Sequence, residues 1–93
     1  MAVAKTSLVP RLSRILSINP ASILTTVTSV QTFTLTGAKT DMLVMLNVPT
    51  QEFADVRIIS SRISAANTLE LTFFNFGAST RDQAAFNIGV VCF

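Results

Sequence analysis

The stretch RISAANTLELTFFN, residues 62–75, decides how this chain is read. Ala65, Ala66 and Asn67 interrupt an apolar run with small residues and an asparagine, the composition of a turn. Beyond it the period is two: Leu69, Leu71 and Phe73 fall on one side of an extended segment, and Glu70, Thr72 and Phe74 on the other. Ahead of it, residues 56–63 set Val56, Ile58 and Ser60 against Arg57, Ile59 and Ser61 in the same way. Successive Cβ atoms of a strand point to opposite faces of the pleat, so this alternation is β structure. A strand with apolar residues on both sides has to be covered on both.

Working outward, SILTTVTSVQTFTLTG (residues 22–37) places Ile23, Val27, Phe33 and Leu35 opposite Thr26, Thr28, Thr32 and Thr34. One face is apolar and the other is lined by hydroxyls that water can satisfy. The run exceeds the usual strand length of about 5–6 residues, so a division near Thr28 and Ser29 is expected. Gly37, Ala38 and Lys39 make the next turn, and residues 41–49, DMLVMLNVP, continue as a strand apolar on both faces until Pro49, which has no N–H for a ladder. Residues 77–83 form a polar connection. The last strand carries Phe86, Ile88, Val90 and Cys92 on one side. These segments predict an all-β fold for residues 21–93, a small antiparallel β-sandwich or jelly-roll-like barrel of about six strands.

Residues 1–20 differ in kind. Lys5, Arg11 and Arg14 give them a charge of +3 with no acid before Asp41, while the four bases and five acids that follow give −1, for the total of +2. Leu8, Leu12, Ile15 and Leu16 recur at the spacing of one helical face, with Ser7 placed to cap it. A short amphipathic helix within residues 7–18 and a disordered leader both fit, and Asn19-Pro20 marks the boundary of an N-terminal arm. The same basic, acid-free composition occurs in mitochondrial transit peptides, whereas Arg11 and Arg14 interrupt the place where a signal peptide keeps its apolar segment.

Composition narrows the function. Ninety-three residues make one domain, and a domain this small buries only about 60–65% of the surface of its unfolded chain. Hydrophobic residues are 49% of the chain and charged ones 13%, with a mean hydropathy of +0.56. That is about half the charge of an ordinary soluble domain, so part of the surface is expected to be covered by another chain. Met42, Val44, Leu69, Leu71, Phe73 and Phe74, on the strands apolar on both faces, are the expected subunit interface.

The inventory for chemistry is thin. The chain has no histidine, so no Ser-His or Cys-His pair and no His-liganded metal site can be built. Cys92 is the only cysteine; it rules out an intrachain disulfide and is expected to be a small buried hydrophobe. Asp41, Glu52, Asp55, Glu70 and Asp82 are scattered singly, and Gly37, Gly77 and Gly89 stand apart from one another with no phosphate-loop spacing. No catalytic, metal or cofactor-binding residues are therefore expected, nor a small-molecule substrate. Arg62, in phase with Ile58 and Ser60, is expected to pair with Asp41 or Asp55. The body has no lysine cluster, tyrosine or tryptophan, so nucleic-acid binding is not expected. Nor does any run approach the roughly 20 apolar residues of a membrane-spanning helix.

Gly37, Asp41 and Pro49 in GAKTDMLVMLNVP, followed by Arg62, Ser64, Ala65, Asn67, Thr68 and Asn75 in RISAANTLELTFFN, carry a resemblance. Over residues 30–78 the chain resembles a small virion module of tailed bacteriophages. It departs from that pattern after Asn75, where GASTRDQAA stands in place of a proline-containing connection. The resemblance implies a β-sandwich subunit that assembles, typically as a homotrimer, on the head surface as a capsid decoration or cement protein. Its partners would then be itself and the major capsid protein, and its location the virion, after synthesis in the host cytoplasm. A tail, fibre or spike attachment module is the alternative. In the decoration reading the basic arm is the expected grip on the capsid, through Lys5, Leu8, Arg11, Leu12, Arg14, Ile15 and Leu16.

Overall fold

The computed structural model describes residues 9–49 and 53–93. Six strands follow one another: β1 (Leu12–Ile18), β2 (Thr28–Thr34), β3 (Val44–Asn47), β4 (Val56–Ala65), β5 (Thr68–Asn75) and β6 (Phe86–Cys92). They form two antiparallel three-stranded sheets, sheet I in the order β1-β6-β3 and sheet II in the order β2-β5-β4. Every connection except the β4–β5 hairpin carries the chain from one sheet to the other. The two sheets therefore share one core in a sandwich-like arrangement.

Residues 62–75 span the hairpin at the centre of sheet II. Ala65 pairs with Thr68, leaving Ala66 and Asn67 as a two-residue turn, and Asn67 sits at φ 60°, a left-handed conformation that asparagine tolerates. The turn is clasped by the end of β2: Asn67 Oδ1 accepts from the Gly37 N–H (2.8 Å), its carbonyl accepts from Leu35 N–H, and its own N–H donates to the Ala38 carbonyl (both 2.9 Å). Gly37 itself is at φ +93°, which a side chain would strain.

Leu69, Leu71 and Phe73 of β5 meet Ile88, Val90 and Cys92 of β6 in the core, with Leu12, Ile18, Ile23, Leu35, Met42, Val56 and Ile63 around them. Phe33 packs edge-on against Phe73, centroids 6.5 Å apart. Such a pair contributes about 0.5–1.5 kcal/mol beyond its buried area.

Several expectations are corrected here. Leu69, Leu71, Phe73 and Met42 lie in the chain's own core and present no surface to a second subunit. Val44 is half-buried against that core, and Phe74 is half-buried on the outer side of sheet II beside Phe76 (centroids 4.5 Å). Residues 22–37 contribute one strand, β2, because the chain turns at Thr25 and Thr26; Ile23 is held separately by a bridge to Arg81. The threonine face is as expected, with Thr28, Thr32 and Thr34 exposed.

The arm is neither helix nor leader over its described part. Residues 12–18 are β1, paired with all seven residues of β6. A four-residue spacing such as Leu12 to Leu16 keeps one face in a helix and equally in a strand, so it does not distinguish them. Ile15 does: it points to the opposite side, away from Leu12, Leu16 and Ile18. Pairing and burial along β6 outweigh the local propensity of a three-turn helix, which is marginal alone. Asn19-Pro20 thus separates two strands rather than an arm from a body. Lys5 and Leu8 lie outside the described residues.

Cys92 is fully buried, as expected, and burial pushes its thiol pKa up, with Arg11 opposing weakly. A raised pKa leaves less thiolate at a given pH. An aromatic disulfide reagent at pH 8 should therefore react with the native protein at least about a hundredfold more slowly than with the denatured chain. Equal rates in the two states would contradict this packing.

Candidate interaction surface

The two outer faces of the sandwich are chemically unlike. On sheet II, cross-strand rows read Thr28–Phe74–Arg57, Val30–Thr72–Ser60, Thr32–Glu70–Arg62 and Thr34–Thr68–Ala65. Arg62 Nε donates to Glu70 Oε2 at 2.7 Å, so its partner is Glu70 rather than Asp41 or Asp55, and that bond raises its pKa above the ordinary arginine value. Arg62 and Glu70 stand opposite each other in the ladder, where facing unlike charges are favourable and water screens the remainder. This face is solvated.

Sheet I reads differently. Its rows are Ser13–Val91–Met45, Ile15–Gly89–Asn47 and, at the far end, Ser17–Asn87. Leu43 and Phe93 extend it, exchanging both backbone hydrogen bonds at 3.0 and 2.9 Å. None of these residues is charged. Ile15 is 81% exposed, Leu43 68% and Met45 61%. At the centre Gly89 has only a hydrogen, which leaves a shallow groove of about 370 Å³ lined by Met45, Leu46, Asn47, Gly89, Val91 and Phe93. A Cβ at Gly89 would meet Asn47 Cβ at an ordinary 3.5 Å, so the glycine opens space without being forced by the fold. Charge returns at the rim, where Arg11 pairs with Asp41 (3.4 Å) and reaches the Phe93 carbonyl (3.3 Å).

The residues expected to contact a partner are dispersed by this geometry. Among the described residues of the arm set, only Ile15 reaches the apolar face; Leu12 is core, Leu16 is half-buried, Arg11 is in the rim ion pair, and Arg14 is exposed, bonding the Ser13 carbonyl. The residues that build the surface, Leu43, Met45, Val91 and Phe93, are those alternating with the expected Met42 and Val44 and with the core residues Val90 and Cys92. The signal for them was the apolar character of both faces of residues 41–49. Period two cannot say which of two apolar sets goes inside.

A polar knot closes the end of the sandwich. Fully buried Asn75 donates from Nδ2 to the carbonyls of Ile23 (3.0 Å) and Ser79 (2.7 Å) and accepts at Oδ1 from the Gly77 N–H (2.8 Å). Beside it, Asp55 Oδ2 takes Arg81 Nε and Nη2 at 3.2 and 3.1 Å, and the Arg81 guanidinium lies over the Phe53 ring at 4.6 Å. Asp55 is thus committed to a cation, and the knot reads as loop architecture. Among the described residues no group of three His, Cys, Asp or Glu side chains is placed to hold a metal ion.

Comparison with protein-family models, with curated proteins and with solved structures returns no match. Fold and surface together define a class: a small two-sheet β module with one solvated face and one uncharged apolar face.

Proposed function

We propose that this chain is a structural subunit of a tailed-bacteriophage virion, a capsid decoration protein that associates with itself and with the major capsid protein. The observation that carries the reading is the uncharged outer face of sheet I, with Ile15, Leu43 and Met45 exposed around the Gly89 groove. Burying three such side chains contributes about 1.5–3 kcal/mol each, enough to hold a subunit on a shell once several copies act together. The contact is therefore assigned to this face rather than to a detached arm. The resemblance supplies the kind of partner, and its residues have framework roles here: Gly37 and Asn67 adopt positive φ, Asp41 pairs with Arg11, and Asn75 ties the loops. The reading is of a binding protein without catalysis, and a homotrimer is the assembly that the resemblance favours.

Quantifying the chain in purified virions tests this. Copy numbers comparable to the major capsid protein are expected. A handful of copies copurifying with tails would favour the attachment-module alternative, and absence from virions would overturn both.

A further inference from the structure

A strand at the edge of a sheet leaves a row of N–H and C=O groups unpaired, and proteins guard such edges with charge, bulges, proline or shortness. Among the described residues, three of the four sheet edges are guarded. β3 has four residues and runs toward Pro49. β4 carries Arg57 and Arg62 and shifts register twice, between Ile58 and Ser60 and between Ile63 and Ala65. β1 carries Arg14 next to Ile15 at its middle. β2, TSVQTFT, has no charge, no proline and an unbroken register with β5 from Thr28 to Thr34.

The direction of its backbone follows from one bond. Leu35 N–H donates to the Asn67 carbonyl across the sheet, so Leu35 faces β5. By the antiparallel alternation Phe33, Gln31 and Ser29 face β5 as well, and Thr28, Val30, Thr32 and Thr34 turn their N–H and C=O groups to the open edge. Ala21, on the segment arriving from β1, is held by the Gln31 side chain, which accepts from its N–H (2.8 Å) and donates to its carbonyl (3.3 Å). Ala21 thus bonds a side chain and not the strand backbone, and no other described residue hydrogen-bonds the outward backbone groups of β2. Leu24 and Val27, just ahead of the strand, and Val30 on it are exposed apolar side chains beside this edge.

We propose that β2 is a self-association edge: β2 of a second copy pairs with it antiparallel about a two-fold axis at Gln31, joining two β2-β5-β4 sheets into one of six strands. A second copy is the occupant because the strand is complementary to itself. The two-fold sets Thr28 against the partner's Thr34 and Val30 against the partner's Thr32, pairs of β-branched residues that pack well across strands. Each outward pair exchanges both N–H···O bonds. β2 brings no charge to such a contact, whereas β1 would carry Arg14 into it and β4 would carry Arg57 and Arg62. The contact is independent of what covers the outer face of sheet I; if that face holds trimers together, the β2 edge links them in pairs.

Amide hydrogen exchange of the purified full chain reads the edge directly. At micromolar concentration the amides of Thr28, Val30, Thr32 and Thr34 should exchange at least about a hundredfold more slowly than open-edge amides, and lose that protection on dilution. Thr32→Pro removes only an outward-facing donor and spares the bonds to β5; Val30→Lys places a charge on the edge. Each should halve the mass measured by light scattering while the circular dichroism spectrum is kept, and Ile59→Lys on the guarded β4 edge should leave the mass unchanged. Should either β2 variant fail to fold, exchange in the unmodified protein still decides. Rapid exchange at those four amides overturns the proposal even if the protein is oligomeric, and so does unchanged mass in folded β2 variants. Variants on sheet I leave these amides alone, so the two surfaces are tested separately.

Discussion

Replacing Asn75 with leucine should destabilise the subunit by about 3–5 kcal/mol, a large part of the stability of a small domain. Leucine is of similar size, so the effect isolates hydrogen bonding. It would strand the Ser79 carbonyl and the Gly77 N–H, and it would remove one of the two hydrogen bonds to the Ile23 carbonyl, which also accepts from the Arg81 N–H. Each buried group left without a partner costs about 1–3 kcal/mol. Asn75→Asp should be comparably damaging, because it turns the donating Nδ2 into an acceptor that faces two carbonyl oxygens. The neighbourhood has little room to relax: a Cβ at Gly77 would collide with Asp55 Oδ2, and the Asn75 carbonyl also anchors Thr26 N–H at 2.9 Å. Urea unfolding followed by circular dichroism measures the loss. A change below about 1 kcal/mol with unaltered slope would mean that the knot contributes little.

The second large effect concerns binding. The double substitution Ile15→Asp, Met45→Asp should lower affinity for undecorated heads by at least about a hundredfold, or about 2.8 kcal/mol at about 1.4 kcal/mol per tenfold. Both side chains are mostly exposed, on either side of the central strand β6, and lie outside the core, so the fold should survive. In a contact, however, two carboxylates would be desolvated without a cation. Cosedimentation with heads gives the affinity, and circular dichroism confirms folding. Undiminished binding by the folded double variant would remove sheet I from the proposed contact. The screened surface pair Arg62–Glu70 serves as the control, since Glu70→Gln on the solvated face should leave binding unchanged.

Much of this architecture is legible in the residues themselves. The alternation of Leu69, Leu71 and Phe73, the turn at Ala66 and Asn67, and the stop at Pro49 are local facts of side-chain direction and backbone sterics, and the strands β3, β4, β5 and β6 fall where those signals put them. The exposed threonines of β2 and the burial of Cys92 belong to the same category. What misled was ambiguity of period. Leu12 and Leu16 are four apart, a spacing that helix and strand share, and only the neighbouring strand β6 selected the extended form.

The candidate surface was decided by tertiary structure. In residues 41–49, Met42, Val44, Leu46 and Val48 compete with Leu43 and Met45 for the inside, and both sets are apolar. The outcome depends on β6, which arrives from the far end of the chain and sets the register Val44 to Cys92 and Met45 to Val91. The side carrying buried Val90 and Cys92 goes inward, and Ile15, Leu43 and Met45 are left in solvent around Gly89. Arg62 followed the same logic, pairing across the ladder with Glu70 rather than with the acids that sequence phase had offered. The sequence alone determined that this chain forms strands, where most of them turn, and that its apolar residues exceed what one side of each strand can hide. Which faces stay uncovered was set by long-range pairing, because a strand's two faces are equivalent until a partner strand and a second sheet make one of them the interior.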